Sequence, residues 1–495
     1  MRHHGWTFLL LLPLAGTMMA VPAPPPSVPR VEIRRGPGVE ATIAVVQGTL
    51  LAAAPARDWA DRQGVALLVA AGKGEKGWRS LQLLEPGKAT LEPLAESMPE
   101  TADSLVSMDL GEGAPALVVG SPGVLDALIF PNRRPGKLRR LMVEPGLDLR
   151  AFFPGLASPR PADLPGIPVA RAGLLQLLAA APGASGSLRA VVSAPLPVRA
   201  GREGNGIRLA SPPVHLLPGA AGSPSLFAVG PEVQGKRRIH TLLLSAAGAA
   251  AVDAWSLLPE DAEVAESRYT RWEGRPALLV STFDKAGINA KRRLRLFLLA
   301  ADRTGGGALP VLDLATDCPF WSRLDASLVD VDGDGRQDLV LIHRLGLRGK
   351  KIRCEVRRGI GGSGGDRFEA EPRVSEIDAE SSEWAYGDWN GDGAPDLAVL
   401  DGERLLLYPG AGKTGRLAER PAWALPVGPV HPGAGSAVAV EVGGSGEGSR
   451  VSAQAGAGYG FFEIADAAGL GAPQVVLAGP DHQGHSVLVL ARRVP

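Results

Sequence analysis

Asp330-Val331-Asp332-Gly333-Asp334-Gly335-Arg336-Gln337-Asp338-Leu339 has a second copy 58 residues on, Asp388-Trp389-Asn390-Gly391-Asp392-Gly393-Ala394-Pro395-Asp396-Leu397. Oxygen-bearing side chains fall at positions 1, 3, 5 and 9 of both stretches, and glycine holds position 6. Ca²⁺ is a hard cation that takes about six to eight oxygen ligands. A short turn supplies them when alternate residues point inward and a glycine permits the bend. The candidate ligands are Asp330, Asp332, Asp334 and Asp338 in one turn, and Asp388, Asn390, Asp392 and Asp396 in the other. Position 7, Arg336 or Ala394, adds a backbone carbonyl. Carboxylates this dense repel one another unless a cation neutralises them, so two Ca²⁺ sites are expected rather than two bare hairpins.

Both turns lead into apolar, strand-like runs, Leu339-Val340-Leu341-Ile342 and Leu397-Ala398-Val399-Leu400. That excludes an EF-hand, which needs a glutamate at position 12 and a helix after it; position 12 here is Leu341 or Val399. Asp-x-Asp-Gly-Asp-Gly-x-x-Asp-Leu running into a strand instead resembles the FG-GAP/VCBS repeat of integrin-α-like β-propellers. Gly393-Ala394-Pro395 lies inside the second copy. The resemblance is clearest over 326–360 and 384–415 and reaches the rest of the chain through spacing alone. It implies a calcium-stabilised propeller used mainly for extracellular recognition.

Degraded relatives of the turn recur along the chain. Asp58-Trp59-Ala60-Asp61 runs into Val65–Val69, and Asp109-Leu110-Gly111-Glu112 runs into Ala116–Val119. Trp272-Glu273-Gly274 precedes Ala277–Val280, and Asp466 to Pro473 precedes Val475–Leu477. Ser225–Val229 repeats the strand without an acidic turn, and the unit near Asp163 is the weakest. A second apolar strand follows each one. This long period with glycine turns predicts an all-β chain, a β-propeller of seven or eight four-stranded blades spanning 31–495, whose radial repetition protects the sheet edges. A β-sandwich array would show turns every 8–12 residues or so and no longer period.

Composition agrees with many short elements. The 495 residues include 64 Gly and 43 Pro, while aromatics make up 5%. Residues 1–20 read as a secretory signal peptide, with Arg2, His3 and His4 before an apolar stretch too short to span a membrane. Residues 21–30 read as a Pro-rich linker, and no later segment predicts a transmembrane span. A secreted or periplasmic location follows as an expectation. There Cys318 and Cys354, the two cysteines of the chain, are the pair available for a disulfide.

Basic and acidic residues number 52 each, so no specific nucleic-acid binding is expected. The turn after each second strand is nevertheless basic. It carries Lys73, Lys76 and Arg79 in one unit; Arg133, Arg134, Lys137, Arg139 and Arg140 in the next; and then Lys236, Arg237 and Arg238. Lys291, Arg292, Arg293 and Arg295 follow, then Arg348, Lys350, Lys351 and Arg353; the last unit has His482 and His485. Gathered on one rim, these tips would suit a polyanionic partner, although charged tips also simply discourage edge pairing. Gly361–Gly365 and Gly410–Gly415 mimic a nucleophile elbow and a phosphate loop, but neither sits between a strand and a helix as that chemistry requires. The expected function is binding, with an extracellular protein or an acidic polysaccharide as partner. The alternative is a calcium-dependent polysaccharide lyase or hydrolase, because some lyases are calcium-containing propellers.

Overall fold

The structure is a computed structural model that describes residues 30–59, 62–70, 78–109, 115–130, 137–143, 147–148, 167–171, 174–180, 188–195, 214–217, 225–233, 236–244, 250–256, 263–283, 291–298, 310–319, 322–345, 351–361, 367–379, 383–431, 436–441, 450–455 and, save 467, 469 and 483–484, 461–494. The expected signal peptide and nearly all of the expected linker lie outside these residues. Arg30, placed in the linker by composition, already opens the first strand, Arg30–Gly36.

Each second strand is an unbroken apolar run, which points to burial on both faces. That is what is found where the side chains are described, and alternate residues face different neighbours. Leu339 and Leu341 pack toward the preceding sheet with Trp272 and Leu296. Val340 and Ile342 pack toward the following sheet with Leu397 and Val399. Ala398 and Leu400 turn the other way, onto Val475 and Leu477. Val476 and Ala478 then meet Val65 and Leu67, Ala66 and Leu68 meet Leu117 and Val119, and Ala116 and Val118 meet Leu178 and Leu188. The strand's two-residue period therefore sets the order of the sheets.

Among the described residues, consecutive antiparallel strands form seven four-stranded sheets. An eighth sheet has five strands and joins the two ends of the described chain: Phe461–Ala465, Gln474–Pro480 and Ser486–Arg493, then Val39–Val46 and Arg30–Gly36. The register pairs Val39 with Arg493 and Val46 with Ser486. Strand Leu188–Pro195 lies against Ala250–Ser256, and Val214–Leu217 against Glu263–Trp272, so sheet follows sheet in chain order back to the first. This all-β arrangement of antiparallel sheets, packed face to face and closed on itself, fits a β-propeller.

The expected uniform set of seven or eight four-stranded blades is corrected in one respect. Strand Arg30–Gly36 adds a fifth strand outside Val39–Val46, and Ser436–Glu441 pairs only with Arg450–Ala455 in a separate two-stranded sheet. Among the described residues the one helical turn is Gly412–Thr414 inside a hairpin, and no helix is long and apolar enough to cross a membrane. The phosphate-loop mimic is thus a turn.

Candidate metal centres

Both acidic turns connect the first and second strands of their sheets, Leu324–Val329 to Asp338–Leu345 and Trp384–Gly387 to Asp396–Asp401. They fold alike. Asp330 Oδ1 accepts from the Gly333 and Asp334 amides at 2.8 and 3.2 Å, and its Oδ2 accepts from Gly335 N at 2.9 Å. Asp388 does the same with Gly391, Asp392 and Gly393 at 2.7, 3.2 and 2.9 Å. Asp332 and Asn390 each accept from the amide two residues on, at 3.2 and 2.8 Å, as do Asp334 and Asp392, at 2.8 Å each. Glycine is needed at position 4 as well as 6: Gly333, Gly335, Gly391 and Gly393 have φ of 75, 83, 75 and 85°.

Position 9 differs from the rest. Asp338 and Asp396, each 1% exposed, begin the second strands and tie three elements together. Asp338 accepts from Val331 N at 3.0 Å and from Gly359 N at 2.8 Å, beyond the third strand. Asp396 accepts from Trp389 N and Asn390 N at 2.9 and 3.1 Å and from Gly410 N at 2.9 Å. A Cβ on Gly359 would stand 2.5 Å from Gln337 O, and one on Gly410 would stand 2.4 Å from Pro395 O, so only glycine fits beside the carboxylate. These two glycines were not singled out in the sequence, although each closes an apolar third strand at the same structural place.

Oxygens of Asp330, Asp332 and Asp338 converge within 4.8 Å of one another, as a shared cation requires. A carboxylate offers about four lone-pair sites, so oxygens already bonded to amides keep capacity for a metal. Burial pushes the Asp338 carboxyl up; its amide bonds oppose this, and Asp334 and Asp330 push it higher. Burial likewise raises Asp396, against three amide bonds and with Asp392 adding repulsion. A divalent cation would relieve that repulsion, so the donor sets fit Ca²⁺. One neighbour competes with it. Arg358 ion-pairs with Asp332, whose nearly buried Oδ2 makes no hydrogen bond of acceptable geometry. In the second turn Asn390 is neutral and its carbonyl accepts from Arg493 at 2.9 Å. At position 7, Arg336 sends its guanidinium to Ile360 O at 3.3 Å, while Ala394 is buried.

A third turn supplies an internal comparison. Asp466 accepts from Leu470 N and Gly471 N at 2.7 and 3.1 Å, matching the cage of Asp330. Its position 9 is Gln474, fully buried, whose Oε1 accepts from Ala468 N at 2.9 Å. Positions 3 and 5 are Ala468 and Leu470. Amide bonds to Asp466 and Gln474 brace this turn, and the surplus carboxylates set the other two apart. The relics at Asp58, Asp61, Asp109, Glu112 and Asp163 fall outside the described residues or side chains.

One expectation changes. Cys318 and Cys354 are buried thiols on neighbouring sheets. They lie in different core clusters, and Cys318 Sγ contacts the carbonyls of Ser322 and Arg323, so no disulfide joins them. Many of the described basic tips are paired with acids, while Lys137 and Arg139 are exposed. Arg292 and Arg295 are 7 and 8% exposed and point into the fold; Arg293 pairs with Asp313, Lys291 with Asp317, Lys351 with Glu376, Arg353 with Glu355 and Arg140 with Asp126. Alternation along the strand puts these cations beside acids of the neighbouring strand, except Arg353, whose partner Glu355 lies on its own strand, a pattern hidden in a charge count. Lys73, Lys76, Arg133, Arg134, Arg348, Lys350 and the side chains of Lys236, Arg237 and Arg238 lie outside the description. Trp272, Trp384 and Trp389 are buried between sheets, Trp389 against Trp423 with ring centroids 5.0 Å apart, so they pack rather than stack on a ligand.

No protein-family model matches the chain, and no curated protein matches it. Solved structures similar to it include Sqt1 from Chaetomium thermophilum, with 13% identity, a TM-score of 0.45, and coverage of 91% of this chain and 97% of that one. The extracellular domains of Drosophila Semaphorin 1b align at 7% identity and a TM-score of 0.35, over 90 and 87% of the two chains. The polysaccharide lyase Uly1 aligns at 10% identity and a TM-score of 0.37, over 91 and 90%. Likenesses this distant carry no functional argument, and the fold stands on its own sheet order.

Proposed function

We propose that this chain is an exported, calcium-binding β-propeller of the FG-GAP/VCBS kind that acts as a recognition module. The observation that carries the reading is the pair of superposable acidic turns, each with surplus carboxylates over the related turn at Asp466. Asp330, Asp332, Asp334 and Asp338 hold one Ca²⁺, and Asp388, Asn390, Asp392 and Asp396 hold the other. The position-7 carbonyls of Arg336 and Ala394 complete each set. Bound ions pin the first two strands of each sheet and leave the opposite loops to vary with the partner.

The partner is an extracellular protein or an acidic polysaccharide, met without turnover. Neutralisation of many of the described basic tips favours recognition by shape and local polar contacts over a broad cationic field. Calorimetric titration of the chelator-treated protein with CaCl₂ tests the metal reading, with a stoichiometry near two expected and zero contrary to it. Incubation of the calcium-loaded protein with acidic polysaccharides tests the rest. Retention on the polymer, or on a cell-surface protein, without released fragments supports a recognition module. Steady release of unsaturated or reducing ends would make the chain a lyase or hydrolase.

A further inference from the structure

We propose a separate transition-metal site at His431 and His482, selective for a divalent ion that prefers imidazole nitrogen, with Zn²⁺ as its probe. His482 lies in the turn between strands Gln474–Pro480 and Ser486–Arg493, and His431 lies 51 residues earlier, beyond strand Trp423–Pro426. The fold brings His431 Nε2 within 3.0 Å of His482 Nδ1, with ring centroids 4.6 Å apart. Both side chains are exposed to incoming ions. At a Zn–N distance of about 2.0–2.1 Å, two ligands of a tetrahedral site stand roughly 3.3 Å apart, so the pair needs to open by only about 0.3 Å.

The backbone holds both rings in place. His431 N donates to Pro480 O at 2.9 Å, which docks one segment on the edge of the other. Within the turn Asp481 N donates to His485 O at 2.7 Å, and His485 N donates to Asp481 Oδ1 at 2.8 Å. His485 Nδ1 faces Asp481 Oδ2 at 3.3 Å, so this third imidazole braces the turn instead of joining the pair. One of the two facing nitrogens carries a proton in the neutral pair. That ring needs only to move its proton to its other nitrogen to present a lone pair, and water completes the coordination. Nitrogen ligands distinguish this site from the all-oxygen acidic turns, which suit Ca²⁺.

Titrating the purified protein with ZnCl₂ in excess CaCl₂ tests the site independently of the acidic turns. One Zn²⁺ is expected to bind, with affinity lowered about tenfold or more in both His431→Ala and His482→Ala and little changed in His485→Ala. Circular dichroism of the two exposed variants should match the parent, which separates lost ligands from lost folding. Absence of Zn²⁺ binding under these conditions, or undiminished binding in both variants, would overturn the proposal.

Discussion

Asp332 and Asp396 stand in the same kind of turn yet have different work. Asp396 holds three backbone amides in a site where it is 1% exposed. Replacing it by Ala orphans those donors, and we expect a loss of about 2–3 kcal/mol in chelator and a larger one in calcium, read by denaturant unfolding. Asp332 spends one oxygen on a local amide and the other on Arg358. Asp332→Ala is expected to lower stability in calcium and to change it little in chelator; equal losses would remove Asp332 from the ligand set. Gln474 permits the reverse test. Gln474→Asp places a second carboxylate beside Asp466, so the variant should melt below the parent in chelator and recover part of the loss in calcium. A variant indifferent to calcium would mean that this turn needs more than positions 1 and 9 to hold an ion.

Strands Asp338–Leu345 and Lys351–Arg357 carry a buried polar group of their own. His343, 1% exposed, lies 3.7 Å from Glu355 Oε1, and Arg353 Nε lies 2.8 Å from the same oxygen. The adjacent His343 imidazole, and then the charges of Arg353 and Arg357, hold the Glu355 carboxyl below its ordinary range against the cost of burial. A depressed carboxyl adds stability above its unfolded pKa and loses it as pH falls through the folded one. Glu355→Gln should therefore flatten the acid limb of a stability–pH curve while leaving its slope above neutral pH unchanged. An unaltered acid limb would show that Glu355 is not stabilised by its partners. Strand type and the position of each acidic turn were legible in the sequence, because a continuous apolar run after a glycine turn admits few other readings. The carboxylate cage was legible too, since its ligands are local. Gly359, Gly410 and the pairing of Arg293 with Asp313 were not, because each acts across strands 14 to 21 residues away. His431 and His482 were invisible as a pair for the same reason: 51 residues and a whole hairpin insertion separate them.

Closure of the whole molecule depends on strand Val39–Val46 lying beside Ser486–Arg493. Glu40, 5% exposed, faces Arg492 directly across that pairing at 2.7 Å and takes a second bond from Arg35 at 3.0 Å. Burial opposes its charge, but the two guanidiniums outweigh burial and hold the carboxyl down. Glu40→Gln should cost about 2–3 kcal/mol by calorimetry or denaturant, since it strips a buried charge pair of one member. The ends of the chain are what the ring is sewn from, so weakening this strand should lower the cooperativity of unfolding as well as its midpoint. On the proposed reading, calcium would act on the same ring from two of its sheets. The most direct test of the account is the melting temperature of the purified protein in calcium and in chelator. A rise of several degrees with calcium, lost when Asp332 and Asp388 are both replaced by Ala, is the predicted result. Identical melting temperatures in the two buffers would contradict it and leave the acidic turns as metal-free hairpins.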